Sequence, residues 1–149
     1  MNILYCDDDM DDVETFTHAI QTIDSSIDCQ IAFDGTEALD MLLVQQIKPD
    51  AIFVDLHMPK IDGREFVIAV KRNKDLKNIP LIILSSSIEK KDIEQFNKMG
   101  VYYFLSKSTE EVELHDAVKS ILFCLPGHKL MIKDSSSENY SFERLEFKV

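Results

Sequence analysis

"NILYCDDD", residues 2 to 9, sets an unbroken apolar run, Ile3, Leu4, Tyr5 and Cys6, directly against three aspartates. A strand with one wet face alternates apolar and polar residues, whereas a run without alternation suits a strand covered on both faces, as in a parallel sheet. The same signature recurs in Ala51 to Val54 and in Leu81 to Leu84. Helices must then lie on each side of one sheet.

Working outward, the candidate strands are Asn2 to Cys6, Ile27 to Phe33, Ala51 to Asp55, Leu81 to Ser85 and Val101 to Leu105. The segments between them have helical period: Val13, Phe16, Ile20 and Ile23 share a stripe, as do Ala38, Leu39, Leu42 and Leu43. Asp34 with Glu37, and Ser108 with Glu111, have capping-box spacing at helix starts. A last helix runs through Leu114, Ala117, Val118, Ile121 and Leu122 until Pro126 and Gly127 stop it. Alternation of this kind predicts a doubly wound α/β domain with right-handed crossovers.

Length and composition agree. A chain of 149 residues favours one domain, and 45% apolar with 29% charged residues is ordinary for a soluble globular protein. The net charge of −11 argues against a nucleic-acid surface, which needs clustered Lys and Arg. Cys6, Cys29 and Cys124 lack CxxC spacing and imply neither a disulfide framework nor a zinc site; they read as reduced, mostly buried thiols. With no signal-like start and no apolar run of membrane length, the expectation is a cytoplasmic protein without a membrane partner.

Open α/β sheets bind ligands beyond the carboxyl ends of their strands. There stand Asp7 and Asp8 after the first strand, Asp55 on the third, Ser85 on the fourth and Lys107 past the fifth. Carboxylates crowded into one cleft raise one another's pKa unless a cation joins them. Magnesium suits few carboxylates plus retained waters, leaving room for a phosphoryl oxygen. A carboxylate can act as nucleophile towards phosphorus, which makes Asp55 the candidate acceptor. Lys107 and the Ser85 hydroxyl would donate to phosphoryl oxygens. Asp9, Asp11 and Asp12 are expected to face solvent near the first helix start, where negative charge is favourable.

Taken in order, "ILYCDDD", "IFVDLHMPKIDG", "IPLIILSSS" and "GVYYFLSK" resemble the acidic, phosphorylation, hydroxyl and lysine strands of response regulator receiver domains in two-component signalling systems. The resemblance covers about residues 2 to 125, and with it goes the flavodoxin-like strand order 2-1-3-4-5. It implies that Asp7 and Asp8 are the metal-binding pair, Asp55 the phosphoryl acceptor, Ser85 the switch hydroxyl, Lys107 the family's lysine and Phe104 the aromatic switch residue. His57 would lend its backbone carbonyl to Mg2+. His57 and Ser87, two positions beyond Asp55 and Ser85, would flank the approach of water and tune dephosphorylation. The implied donor is a sensor histidine kinase or histidine phosphotransfer protein, and output passes to a downstream protein target by contact. One departure is that Ser108 follows Lys107 where the family usually has a cis proline; a cis peptide without proline costs about 2.5 to 4 kcal/mol, so this peptide is either cis at that cost or trans.

His18, His115 and His128 read as surface or boundary residues, and Phe104 alone would read as core packing. Residues 126 to 149 hold two strand-like pieces, Lys129 to Lys133 and Tyr140 to Val149, around a polar turn. A lone hairpin is marginal in water, so the extension is expected to pack on the domain, to pair with a second copy as a homodimer, or to stay disordered. It is too short for a helix-turn-helix or enzymatic output domain, and the expectation is a stand-alone receiver that catalyses only its own phosphorylation and dephosphorylation. The alternatives are a phosphorelay intermediate, an aspartyl-phosphate phosphatase or phosphotransferase, which would want an acid at position 57 and a substrate cap, and a phosphorylation-independent scaffold.

Overall fold

A computed structural model describes residues 1–86, 89–101, 103–107 and 111–125. Ser87, the Lys107–Ser108 peptide, the Ser108 cap, His128 and the extension from 126 to 149 lie outside the described residues. Among the described residues five strands and five helices alternate: β1 (Asn2–Cys6), α1 (Met10–Ile23), β2 (Asp28–Ala32), α2 (Gly35–Leu43), β3 (Ala51–Val54), α3 (Gly63–Arg72), β4 (Leu81–Ser85), α4 (Lys90–Lys98), β5 (Tyr103–Ser106) and α5 (Glu111–Cys124). The strands form one sheet in the order β2-β1-β3-β4-β5, every neighbouring pair parallel. This is the doubly wound α/β fold and strand order expected.

The unbroken apolar runs divide between two cores because successive side chains of a strand point to opposite faces. Leu4, Cys6, Ile52, Val54, Leu81 and Ile83 face Ala38, Leu42, Phe66, Val67 and Phe96 of α2, α3 and α4. Ile3, Tyr5, Ala51, Phe53, Ile82 and Leu84 face Val13, Phe16, Ile20, Val118 and Leu122 of α1 and α5. Tyr5 stacks on Phe16 at 4.1 Å between ring centroids, and Phe16 meets Phe53 at 5.0 Å. Full burial of such side chains is worth about 1.5 to 3 kcal/mol each, which is why both layers must be covered.

Aspartates start three helices. The Asp9, Asp34 and Asp62 side chains accept backbone N–H groups at the heads of α1, α2 and α3. Glu37 completes the α2 start by accepting from the Phe33 N–H at 2.7 Å. Leu43 departs from its expected stripe and is 48% exposed, since it lies about 100° round the helix from buried Leu42.

The largest boundary difference is at β5, which begins at Tyr103 rather than Val101. Gly100, at φ 76°, lets α4 end in a Schellman turn: Gly100 N–H donates to Asn97 and Val101 N–H to Phe96. Val101 and Phe96 share one core cluster, the apolar contact that accompanies this cap. An apolar residue expected in a strand is therefore part of a helix stop.

Candidate functional site

The sheet's hydrogen bonding runs one residue past its strands and fixes the groups at their ends. Asp7 N–H donates to Ala32 O at 3.0 Å, Asp55 N–H to Cys6 O at 2.9 Å, and Lys107 N–H to Ser85 O at 3.1 Å. Because Cys6 lies level with Val54, Asp7 and Asp55 leave the sheet side by side.

One carboxylate oxygen each from Asp7, Asp8 and Asp55 lies within 4.8 Å of the others. Asp7 and Asp55 are only 1% and 3% exposed, whereas Asp8 is exposed. Two buried oxygen donors with a third at the rim fit a hard divalent cation that keeps several waters, and no imidazole or thiolate is in the group to favour zinc. The Asp55 carboxylate also accepts the His57 backbone N–H at 2.7 Å, so its second oxygen is oriented by the loop that follows β3.

Lys107 enters from the end of β5. Its Nζ lies 2.7 Å from Asp7 Oδ2, 2.7 Å from Asp12 Oδ2 and 3.4 Å from Asp55 Oδ1. Burial opposes its charge, yet hydrogen bonds to Asp12 and Asp7 outweigh that and hold the ammonium protonated far above the ordinary lysine range. Burial likewise pushes the Asp7 carboxyl up, an effect its bonds from Lys107 and Tyr5 oppose. The Tyr5 hydroxyl donates to Asp7 Oδ2 at 2.5 Å. Burial first, then the Asp7 charge, drive the Tyr5 pKa far up, so the hydroxyl stays a donor.

Asp7, Asp8, Asp55 and Lys107 thus meet in one cluster. Ser85 is buried at the end of β4, in the strand beside β3. Phe104 on β5 is half-buried against the α4 side of the core, its ring 6.2 Å from that of Phe96. His57 is exposed beside the cluster. His18 is exposed, and His115 is partly buried with Nδ1 3.0 Å from Asp116 Oδ1. The expectation of mostly buried thiols is met at Cys6 but not at Cys124, which is exposed.

Asp12 is a correction in part. It was expected to face solvent, as Asp11 does; its side chain keeps 41% exposure but also pairs with Lys107 across 95 residues of sequence. Spacing along the chain carries no signal for such a contact. Tyr5 carried one that was missed: residues two apart on a strand share a face, so a phenol two before a buried Asp7 is placed to bond it.

Gly63 and Gly35 were also overlooked. A Cβ at Gly63 would strike the Asp55 carbonyl and sit 2.6 Å from Leu56 Cα. Glycine therefore lets the head of α3 close on the end of β3, where Gly63 N–H donates to Leu56 O at 3.1 Å. A Cβ at Gly35 would sit 2.5 Å from Ile61 O. Beside it, Lys60 at φ 63° reaches Asp34 Oδ2 at 2.5 Å, tying the loop after β3 to the head of α2.

The family model for the response regulator receiver domain matches residues 3–119. The chain is 32% identical over 126 residues to response regulator Rcp1 of Synechocystis sp., covering 80% of this chain and 84% of that protein. It is 31% identical over 113 residues to protein PilG of Pseudomonas aeruginosa, covering 74% and 82%. The crystal structure of the phosphorylated cyanobacterial phytochrome response regulator RcpA aligns with a TM-score of 0.76 at 29% identity, over 83% of this chain and 92% of that one. The Mn(2+)-bound form of Rcp1 aligns at 0.75 and 30%, over 88% and 99%. A fold of five parallel strands whose carboxyl ends gather acids and a lysine therefore has its explanation in descent: the chain belongs to the response regulator receiver domain family, whose members serve phosphorylation-dependent signalling.

Proposed function

We propose that this chain is a signalling switch that accepts a phosphoryl group on Asp55. The observation that carries the reading is the placement of a buried Asp55 carboxylate beside one cation, Lys107, and two further carboxylates, Asp7 and Asp8. Asp7, Asp8 and Asp55, with the backbone carbonyl of His57, would hold Mg2+, which when bound offsets negative charge on the transferring group. The family relatives described as phosphorylated and as Mn(2+)-bound support both parts.

An Asp55 oxygen attacks phosphorus, the P–N bond to the donor histidine breaks, and the imidazole nitrogen keeps the electron pair. Lys107 meets the charge on one phosphoryl oxygen, and the Ser85 hydroxyl donates to another. The new charge of about −1.5 to −2 draws Ser85 inward, and Phe104 follows into the space it leaves. The surface of α4, β5 and α5 is then read by a target protein, a shift between two populations. The donor is a sensor histidine kinase or phosphotransfer protein, the setting is the cytoplasm, and His57 and Ser87 tune hydrolysis of the mark. The extension from residue 126 onward serves as a packing or dimerisation arm.

Incubation with magnesium and acetyl phosphate tests the central step, the small donor losing acetate as its P–O bond breaks. Mass spectrometry should then find a labile phosphate on Asp55 and none in Asp55→Asn. A wild-type chain that takes up no label would support a phosphorylation-independent scaffold, and multiple turnover on small phosphoesters would support a phosphatase.

A further inference from the structure

We propose that Asp12 is the resting counter-ion of Lys107, a positioning residue that must release the lysine before the lysine can serve a phosphoryl oxygen. The proposal rests on Asp55 being the phosphoryl acceptor and adds a residue that sets how readily the phosphorylated state forms.

An ammonium group has three protons to donate. Among the described residues Nζ makes two close carboxylate contacts, with Asp7 Oδ2 and Asp12 Oδ2 at 2.7 Å each, while Asp55 Oδ1 stands off at 3.4 Å. The lysine is thus engaged mainly by carboxylates other than the acceptor. A phosphoryl group on Asp55 needs Lys107 closer, so one of the close contacts must lengthen.

The surroundings decide which. Asp7 is almost fully buried, and its carboxylate is held by the Tyr5 hydroxyl at Oδ2 and by the Asp9 N–H at Oδ1. Pulling its cation away would leave that buried carboxylate to the metal alone, out of reach of water, which is the costly direction. The Asp12 side chain is 41% exposed and lies in the first turn of α1, where water and the helix dipole both favour a free carboxylate. Asp12 is therefore the partner that lets go. Tyr5 makes the choice one-sided by fixing Asp7.

Removing the Asp12 charge should then favour the phosphorylated state. A half-exposed pair is worth a few-fold in equilibrium, about two- to fivefold. The full chain is titrated with beryllofluoride in the presence of magnesium and followed by fluorine NMR, because this stand-in for the phosphoryl group reads binding without chemistry. Asp12→Asn should bind about two- to fivefold tighter than wild type, and acetyl phosphate should label it to a higher steady level. Asp11→Asn removes a like charge one residue away, on an exposed side chain, and should match wild type. A variant that merely disturbed α1 would bind more weakly.

Equal affinities for Asp12→Asn and Asp11→Asn, or weaker binding by Asp12→Asn, overturn the proposal while leaving Asp55 as acceptor. A wild-type chain that neither binds beryllofluoride nor takes up label overturns both readings.

Discussion

Two carboxylate regions adjoin at the loop after β3, and their charge balance is opposite. Around the loop after β3, two acids each have their own cation: Asp34 with Lys60 at 2.5 Å, and buried Asp92 of α4 with Arg64 of α3 at 2.7 Å. At the ends of β1 and β3, Asp7 and Asp55 share Lys107 with Asp12 from the first turn of α1, and exposed Asp8 lies beside them. The balanced pairs fasten a loop to the head of α2 and α3 to α4, and ask for nothing further. The unbalanced cluster is stable only because Lys107, the Tyr5 hydroxyl and backbone N–H groups are aimed into it, and it still has capacity for positive charge. Structure comes from matched charge, and capacity for a ligand from the mismatch.

The largest expected effect breaks the frame that holds the two regions together. Gly63→Ala places a methyl against the Asp55 carbonyl and Leu56 Cα, backbone atoms that cannot step aside as a side chain would. We expect a loss of about 3 kcal/mol, at the upper end of overpacking costs, read from the urea midpoint. Phosphate uptake on Asp55 should fall with it, because the same backbone carries Asp55, the proposed acceptor. A near-neutral Gly63→Ala would mean that the head of α3 does not need to close on β3.

Magnesium separates the regions next. A cation that binds only the folded cluster stabilises it by about 2.7 kcal/mol at a hundredfold excess over its dissociation constant. Thermal unfolding with and without magnesium should show this gain in wild type and in Lys60→Met, and lose it in Asp8→Asn. If Lys60→Met lost the gain as fully as Asp8→Asn, the two regions would not be distinct.

Arg64→Met tests the balanced side alone. Asp92 is 4% exposed, so removing its cation leaves a buried carboxylate short of a partner. The expected cost is about 1 to 3 kcal/mol. Adding Asp92→Leu to Arg64→Met should recover part of it, since an apolar pair of similar bulk avoids the stranded charge. Magnesium response should be unchanged in both variants.

How far the chain announces these regions differs as their chemistry does. The acids of the cluster sit at the ends of strands whose unbroken apolar runs mark the sheet, so Asp7, Asp8, Asp55 and Lys107 can be placed from pattern and topology alone. Both helical layers follow from the same runs, whereas the strand order comes only with the family resemblance. Arg64 with Asp92, Lys60 with Asp34, and Lys107 with Asp12 join side chains far apart in sequence whose meeting depends on helix rotation and rotamer, and no local period encodes that. Val101 was misplaced for a related reason: a branched apolar residue suits both a strand and the end of a Schellman turn, and only the positive φ at Gly100 chooses.

The smallest effect is the acid limb of stability, where the two regions should act with opposite sign. Hydrogen bonds from Lys60 and Arg64 hold Asp34 and Asp92 below the ordinary carboxylate value of 3.8. Folding favours their charged forms, so the stability they bring is complete above that value and lost as pH falls through their lower folded values. Asp7 runs the other way: burial raises it above 3.8, folding favours its neutral form, and its contribution is present below 3.8 and lost as pH rises through the folded value. Urea midpoints measured without metal at about pH 3 and about pH 7 should therefore shift oppositely in two variants, given these signs. Asp92→Asn should lose more stability at the neutral end, and Asp7→Asn should fare better at the neutral end than at the acid end. Shifts of the same sign would show that Lys107 and Tyr5 outweigh the burial of Asp7, and the cluster would then be as well balanced as the pairs beside it.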